Sequence, residues 1–344
     1  MEIDTKRART FSVPGALLMV CPAVLAAVWI MVFSASAAEF PGKTSNTAGR
    51  AKIRIAIPAP SLSFLPIQVA TRQGFYARRG LDVEMIQMAA GLAVPALLSG
   101  SVDYTTILSG PATASARGAP LKAFLFTSVK LQHFLISRPE IVKVEDLAGK
   151  KIGAGALGTL PAYQVRVIIE KYRLGPNTTI VPVPSSTERL LGTQKGTIDA
   201  GIVPAPLDLK AEELGLRRLL HVGSILQIPQ AGLASTEEKL RTNHRQVIEM
   251  AKATIEGLEF TLTQTGPTIE IIGRWMNLNA AQAARTYETV RDTYSRNGLP
   301  TDEQVNAYIA MLTSTAGIKE KIAPASIYDF SPTEAAIREL ADKK

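Results

Sequence analysis

The chain has 344 residues, 46% of them hydrophobic and 20% charged, which suits a globular protein of two ordinary lobes and excludes a disordered one. The formal charge is +8, compatible with an anionic solute, an anionic membrane surface, or simply a basic exterior. No dense Lys/Arg run is interleaved with aromatics, which argues against nucleic acid as a partner.

Lys6, Arg7 and Arg9 open the chain, and an uncharged apolar run of 19 residues follows from Gly15 to Phe33. Ser34-Ala35-Ser36-Ala37-Ala38 then places small residues where a signal peptidase cuts. The order predicts a secretory signal peptide over residues 1–38, cleaved after Ala37 or Ala38, and a periplasmic location. Cleavage would remove those three cations and the acids Glu2 and Asp4, leaving +7. The length of the run also fits an uncleaved anchor. Cys21 is the only cysteine, and bulky Val20 before it argues against a lipoprotein. The processed chain would carry no thiol, which an oxidising compartment permits. Residues 39–51 are polar and small and read as a flexible start.

From Lys52 onward strands and helices alternate. Lys52–Ile57, Leu81–Met88, Asp103–Leu108, Leu121–Thr127 and Leu131–Ser137 read as strands. Leu65–Arg79, Val94–Leu98 and Pro111–Arg117 read as helices. A second cycle starts at Lys151–Ala154 and runs through the strands Thr179–Val183, Ile198–Val203 and Arg218–Val222. Its helices are Leu160–Tyr172, Thr187–Gln194 and Leu207–Leu214. Such alternation predicts mostly parallel sheets with helices on both faces. The cycles echo each other: Gly100-Ser101-Val102-Asp103-Tyr104 matches Gly196-Thr197-Ile198-Asp199-Ala200, each preceded by a Leu-Leu pair. An internal echo predicts twin α/β lobes.

After about Gly232 only helices are expected. Ser235 and Thr301 are candidate caps, and Ser331-Pro332-Thr333-Glu334 opens the last helix as a capping box. The long helices are His244–Gln264, Ala280–Arg296 and Asp302–Thr315. The predicted organisation is lobe 1 over 52–134, lobe 2 over 135–224, and a return to lobe 1 with C-terminal helices over 225–344.

In open α/β sheets ligands bind beyond the carboxyl ends of the strands, so the strand-to-helix turns are the candidate site. Ser61, Ser63 and Phe64 follow the first strand, either as hydrogen-bonding groups beside an apolar wall or as a helix cap with a buried ring. Gly91 leaves room in the next turn, and a plain turn explains it equally. Ser109 and Gly110 open a helix, as ligand donors or as ordinary capping. His133 stands on the crossing strand with Lys130 and Gln132, as a ligand contact or a structural histidine. Gly155, Leu157, Gly158 and Thr159 belong to Gly153-Ala154-Gly155-Ala156-Leu157-Gly158, which fits G-x-G-x-x-G. A dinucleotide site would want an acid after the next strand, and Val183-Pro184-Ser185-Ser186 has none. The same turn serves any carboxylate, sulfonate or phosphate through helix N–H groups. Ser185 offers a hydroxyl and Pro204 a rigid wall. Lys130, Arg166 and Arg189 are the cations that could meet an anion.

Three histidines without ligand spacing make a zinc site unexpected, and no nucleophile elbow or P-loop is present. Asp103 and Asp199 fall at strand starts, on the wrong end of the sheets for a cleft, and read as structural. No cofactor and no catalytic or metal-ligating residue is expected.

Several segments resemble one family. They are Pro66 through Gly74-Phe75-Tyr76, Gly80-Leu81-Asp82-Val83-Glu84, Leu98-Ser99-Gly100-Ser101-Val102-Asp103, Asp146-Leu147-Ala148-Gly149-Lys150-Lys151-Ile152-Gly153 and Gly196-Thr197-Ile198-Asp199-Ala200. In order and spacing they resemble the nitrate, sulfonate and taurine-type binding proteins of ATP-driven importers, the SsuA and NMT1/THI5-like group. The resemblance implies a type II periplasmic-binding fold, a monomer with a small, anionic organic solute held between two lobes, and delivery to an inner-membrane ABC permease without catalysis. It also implies that the family's ligand loops fall on the turns named above. One branch of the group makes the thiamine pyrimidine with a cysteine-rich motif that this chain lacks. That enzyme and a membrane-anchored sensory domain are the alternatives.

Overall fold

The computed structural model describes residues 49–342 apart from Ala59 and Pro184, so the predicted signal peptide and most of the flexible start lie outside the described residues. Ile53, Ile55 and Ile57 put a buried stripe on β1 (Ala51–Ile57). The first helical stretch is two pieces, α1 (Leu65–Arg72) and α2 (Phe75–Arg78), because Gly74 turns left-handed between them. The single helix expected over 65–79 is corrected accordingly. Then follow β2 (Leu81–Gln87), α3 (Ala93–Leu98), β3 (Tyr104–Ile107), α4 (Ser109–Ala116) and β4 (Leu121–Ser128). The chain crosses to a second sheet at β5 (His133–Ser137), a strand that spans the predicted division between residues 134 and 135. It continues through β6 (Lys151–Ala154), α5 (Leu160–Lys171), β7 (Thr179–Pro182), α6 (Ser186–Lys195), β8 (Ala200–Pro204), α7 (Leu207–Glu213) and β9 (Arg217–His221).

The stretch after Val222 is not helix only. Ala231–Thr236 forms β10, which returns to the first sheet between β3 and β4 and runs antiparallel to both. Ser235 is therefore a strand residue, and Thr236 caps α8 (Glu237–Thr242) by accepting from Lys239 N–H at 3.1 Å. The remaining helices are α9 (His244–Thr263), α10 (Thr265–Met276), α11 (Ala280–Val290), α12 (Asp302–Ala316), α13 (Pro324–Ile327) and α14 (Ser331–Ala341). Sequence reading missed α10. Thr301 caps α12 as expected, in a box with Gln304. Ser331 is already helical, and its hydroxyl donates to Asp329 at 2.6 Å instead of capping.

The strand orders are β2-β1-β3-β10-β4 and β7-β6-β8-β5-β9. The two sheets are twins: three parallel strands, then an antiparallel pair. Each sheet is mostly parallel as expected, four strands running one way, and is mixed only because the strand entering each lobe from the other, β10 or β5, runs backwards through it. The echoed motif is the same device twice. Asp103 accepts the Arg54 N–H at 2.8 Å and Asp199 accepts the Lys151 N–H at 2.9 Å. Gly100 and Gly196 precede them at φ +70° and +74°, a conformation that favours glycine. Both aspartates thus staple the first strand of a lobe to the third at the end away from the strand-end turns.

Two segments cross between the sheets, residues 129–132 and 222–230. They are stitched together where Gln132 N–H donates to Gln230 Oε1 and Gln230 N–H to the Ser128 carbonyl, both at 2.9 Å. Thr293 braces them, its carbonyl accepting Val129 N–H at 2.8 Å and its hydroxyl accepting Gln132 Nε2–H at 2.7 Å. The described residues form one compact unit. One buried cluster joins Phe126 of the first sheet, Ile152 and Ile202 of the second, and Tyr308, Met311 and Leu312 of α12. Another joins Leu62, Leu65, Phe134, Val203 and Tyr287. Among the described residues no helix is long and apolar enough to cross a membrane.

Candidate functional site

The carboxyl ends of β3 and β6 carry their strand-to-helix turns to a shared space between the sheets. A cavity of about 690 Å³ lies there. Lobe 1 contributes Ser109, Gly110, Thr113, Ala114 and Arg117 along α4. Lobe 2 contributes Gly158, Thr159 and Leu160 at the start of α5. Pro229 and Gln230 come from a crossing segment, and Tyr308, Met311, Leu312, Thr315 and Ala316 from α12.

Two helices open onto this space without a side-chain cap. The residue before α4 is apolar Leu108. The residue before α5 is Thr159, whose hydroxyl donates to the Ala156 carbonyl at 2.7 Å. Apart from Pro111 and Pro161, which have none, their first-turn residues present N–H donors along the helix axes. Side chains cap α6, α8, α11 and α12, through Ser185, Thr236, Asn279 and Thr301, while the remaining helices, like α4 and α5, have no side-chain cap.

His133 sits beside the cavity as a link. Its Nδ1 lies 2.7 Å from Gln164 Nε2 on α5, and its Nε2 lies 3.4 Å from the Gln230 amide nitrogen. Burial is the main cause that pulls its pKa down to about 4, with the Arg189 and His221 charges adding to it. The ring is neutral at neutral pH, a hydrogen-bonding group and not a cation. Pro204 pairs with His133 across β5 and β8.

Of the residues predicted for the site, the structure brings Ser109, Gly110, Gly158 and Thr159 together in the cavity wall. Ser61 and Ser63 face each other at 2.9 Å in the turn after β1, and the Ser63 carbonyl accepts from Thr127 Oγ1 at 2.8 Å. Phe64 is 1% exposed and packs edge-on against Trp275 at 5.6 Å. Its ring faces the core, so the apolar wall expected there is absent; Leu62 and Leu65 bury with it and fix that direction. Gly91 and Leu157 stand exposed on their turns, Gly155 is buried beneath its own, and Ser185 is used as a cap. None of these lines the cavity.

The cations divide similarly. Arg189 is 3% exposed and donates to the Ile202 and Val183 carbonyls at 2.6 Å and to Ser186 at 2.8 Å. Burial lowers its pKa. Arg166 reaches Ser314 of α12 at 3.3 Å. The cation that lines the cavity is Arg117, which sequence reading missed; it donates to the Ala316 carbonyl at 3.0 Å. Gln230 and the α12 residues were missed too. The spacing of Tyr308, Met311 and Leu312 signals an apolar helix face, and nothing in the pattern says that this face also borders the cleft.

A family model described as NMT1/THI5 like matches residues 61–265. Among solved structures, the fold is similar to that of a putative sulfonate ABC transporter protein, the periplasmic sulfonate-binding protein SsuA from Methylobacillus flagellatus KT. The identity is 14%, 85% of this chain and 96% of that one are covered, and the TM-score is 0.70. The desulfurization enzyme DszB shares the fold at 13% identity, with 85% and 100% covered and a TM-score of 0.62. A curated relative, the riboflavin-binding protein RibY from Chloroflexus aurantiacus, is 22% identical over 230 residues. That match spans 62% of this chain and 62% of the relative's own length. The twin mixed sheets therefore have the two-lobed periplasmic-binding-protein fold expected of the sequence.

Proposed function

Because the chain belongs to the NMT1/THI5-like family, we propose that it is an extracytoplasmic solute-binding protein that captures a small organic solute between its lobes and hands it to an ABC importer. The observation that carries this reading is the single cavity walled by strand-end turns of both lobes, α4 on one side and the start of α5 on the other. A solute there touches both lobes at once, and it stabilises whichever approach of the lobes satisfies both sets of contacts. The crossing segments stitched through Gln132 and Gln230 are the hinge. An anionic group suits the uncapped starts of α4 and α5, where first-turn N–H groups and the helix dipoles favour negative charge. The SsuA and RibY relatives, named for a sulfonate and for riboflavin, support a bound organic solute. The proposed site residues are Ser109, Gly110, Gly158 and Thr159 in the wall, His133 and Pro204 beside it, and Ser61, Gly91, Leu157 and Ser185 on the surrounding turns. The proposed setting is a periplasmic monomer, partnered by an inner-membrane permease.

Native mass spectrometry of freshly purified protein, followed by calorimetry with the solute found, tests this. The expected result is one solute per chain, released unchanged. Since DszB shares the fold, turnover of the captured solute would replace binding by catalysis as the function.

A further inference from the structure

We propose that the solute is an organic molecule with an apolar body and a hydrogen-bonding edge, carrying at most one negative charge, and not an inorganic oxyanion or a taurine-sized zwitterion. This rests on the solute-binding reading and names the class of ligand that the same site takes.

Volume is the first argument. The cavity of about 690 Å³ holds roughly twenty waters at ~30 Å³ each, within the ~300–1,000 Å³ of sites that enclose drug-sized ligands. An oxyanion of four or five atoms would touch both walls only if the lobes closed much further on it than a larger solute requires. Charge is the second. Among the described residues Arg117 is the one charged residue in the lining, a single positive charge that its hydrogen bond to the Ala316 carbonyl orients without neutralising. A dianion taken out of water needs paired cations, and the described wall supplies one. A zwitterion needs a carboxylate for its ammonium, and among the described residues no Asp or Glu lines the cavity.

Chemistry of the wall is the third argument. Leu160, Pro229, Met311 and Leu312 form an apolar floor, and methionine adapts to irregular apolar shapes. Hydroxyls of Ser109 and Thr113 offer direction without charge, and those of Thr159 and Thr315, which donate to the Ala156 and Met311 carbonyls, keep their acceptor sites. Tyr308, whose ring lines the same space, is 2% exposed and its hydroxyl has no protein partner.

Calorimetry and thermal shift on the exported protein would use riboflavin, 1-octanesulfonate, taurine, sulfate and nitrate as probes. Riboflavin or octanesulfonate is expected to bind at least tenfold more tightly than taurine, sulfate or nitrate. Tighter binding of any of the last three overturns the ligand class while leaving the solute-binding reading intact. If no probe binds, the co-purified solute decides: an apolar-bodied mass supports the proposal, a small anion overturns it, and no solute at all removes it together with the parent reading. Thr113→Trp fills the cavity from α4 and is expected to cost at least tenfold in affinity. Ala316→Trp fills it from α12 and should do the same with unchanged circular dichroism. Undiminished binding in a folded variant of either kind places the ligand elsewhere and overturns the proposal.

Discussion

His133 shows how one side chain can belong to a site and to the stability of the fold at once. It joins Gln164 of α5 to Gln230 in the cavity wall, and burial holds its pKa at about 4 against an ordinary 6.5. Between those values the unfolded chain binds a proton that the folded chain refuses, so stability rises with pH there. The contribution is complete above about pH 6.5 and is lost as pH falls through about 4. At ~1.4 kcal/mol per unit it amounts to on the order of 3 kcal/mol. His221, stacked on Phe134 at 4.8 Å, also has its pKa lowered by burial and adds to the same slope. His133→Gln keeps a hydrogen-bonding group of similar reach and removes the titration. Urea midpoints taken from pH 4 to pH 7 should flatten in that variant, the residual slope belonging to His221 and, at the acidic end, to carboxyls whose pKa the fold moves, Asp208 and Glu249 among them. An unchanged profile would mean that the ring takes up its proton in the fold just as it does in the unfolded chain.

β10 is the reversed strand of the first sheet, as β5 is of the second, and it depends on one glycine. A Cβ at Gly232 would land on the Leu125 carbonyl of β4, with Phe126 Cα only 2.8 Å away. Backbone cannot give way as a side-chain tip can. Gly232→Ala should therefore cost about 1–3 kcal/mol, as overpacking does, or more if β10 detaches. Its check is the urea midpoint beside that of Gly266→Ala, where nothing lies within 4 Å and only a small change is expected. The same glycine explains why β10 was illegible. Ala231-Gly232-Leu233-Ala234-Ser235 has neither β-branched nor aromatic residues nor a clean alternation, so it carries no strand signature although it is buried. The other strands and the twin Asp103 and Asp199 turns were legible because their hydrophobic periodicity and glycine punctuation are local properties. The four cavity residues were legible for a topological reason, since they stand at the carboxyl ends of β3 and β6, and the same rule placed the turns after β1, β2 and β7 at a cavity that they do not line. Phe64 misled because a ring beside two serines is the same sequence whether it turns in or out. The α12 wall could not be read, because which neighbour an apolar helix face meets is decided only by tertiary packing.

At the scale of the molecule, twin sheets suggest two lobes that could unfold one after the other, and the packing argues against it. The cluster around Phe126, Ile152, Ile202 and Met311 draws on both sheets and on α12. A second cluster ties Leu62, in the turn before α1, and Leu65 of α1 to Phe134 and Val203 of the other sheet. Losing either sheet would strip the buried surface of the other, so the described residues should melt as a single cooperative unit. Far-UV circular dichroism reports all the elements. Fluorescence reports Trp275, which would be the only tryptophan of the processed chain and packs on Phe64. The two urea transitions should superimpose. Displaced curves would show that the lobes are separate folding units and that the helices only drape over them. Saturating solute should then shift both curves together, by about 2.7 kcal/mol at a hundredfold excess over Kd. A ligand gripped by both lobes stabilises the whole unit, and one lodged on a single lobe would move its probe alone if the lobes were independent.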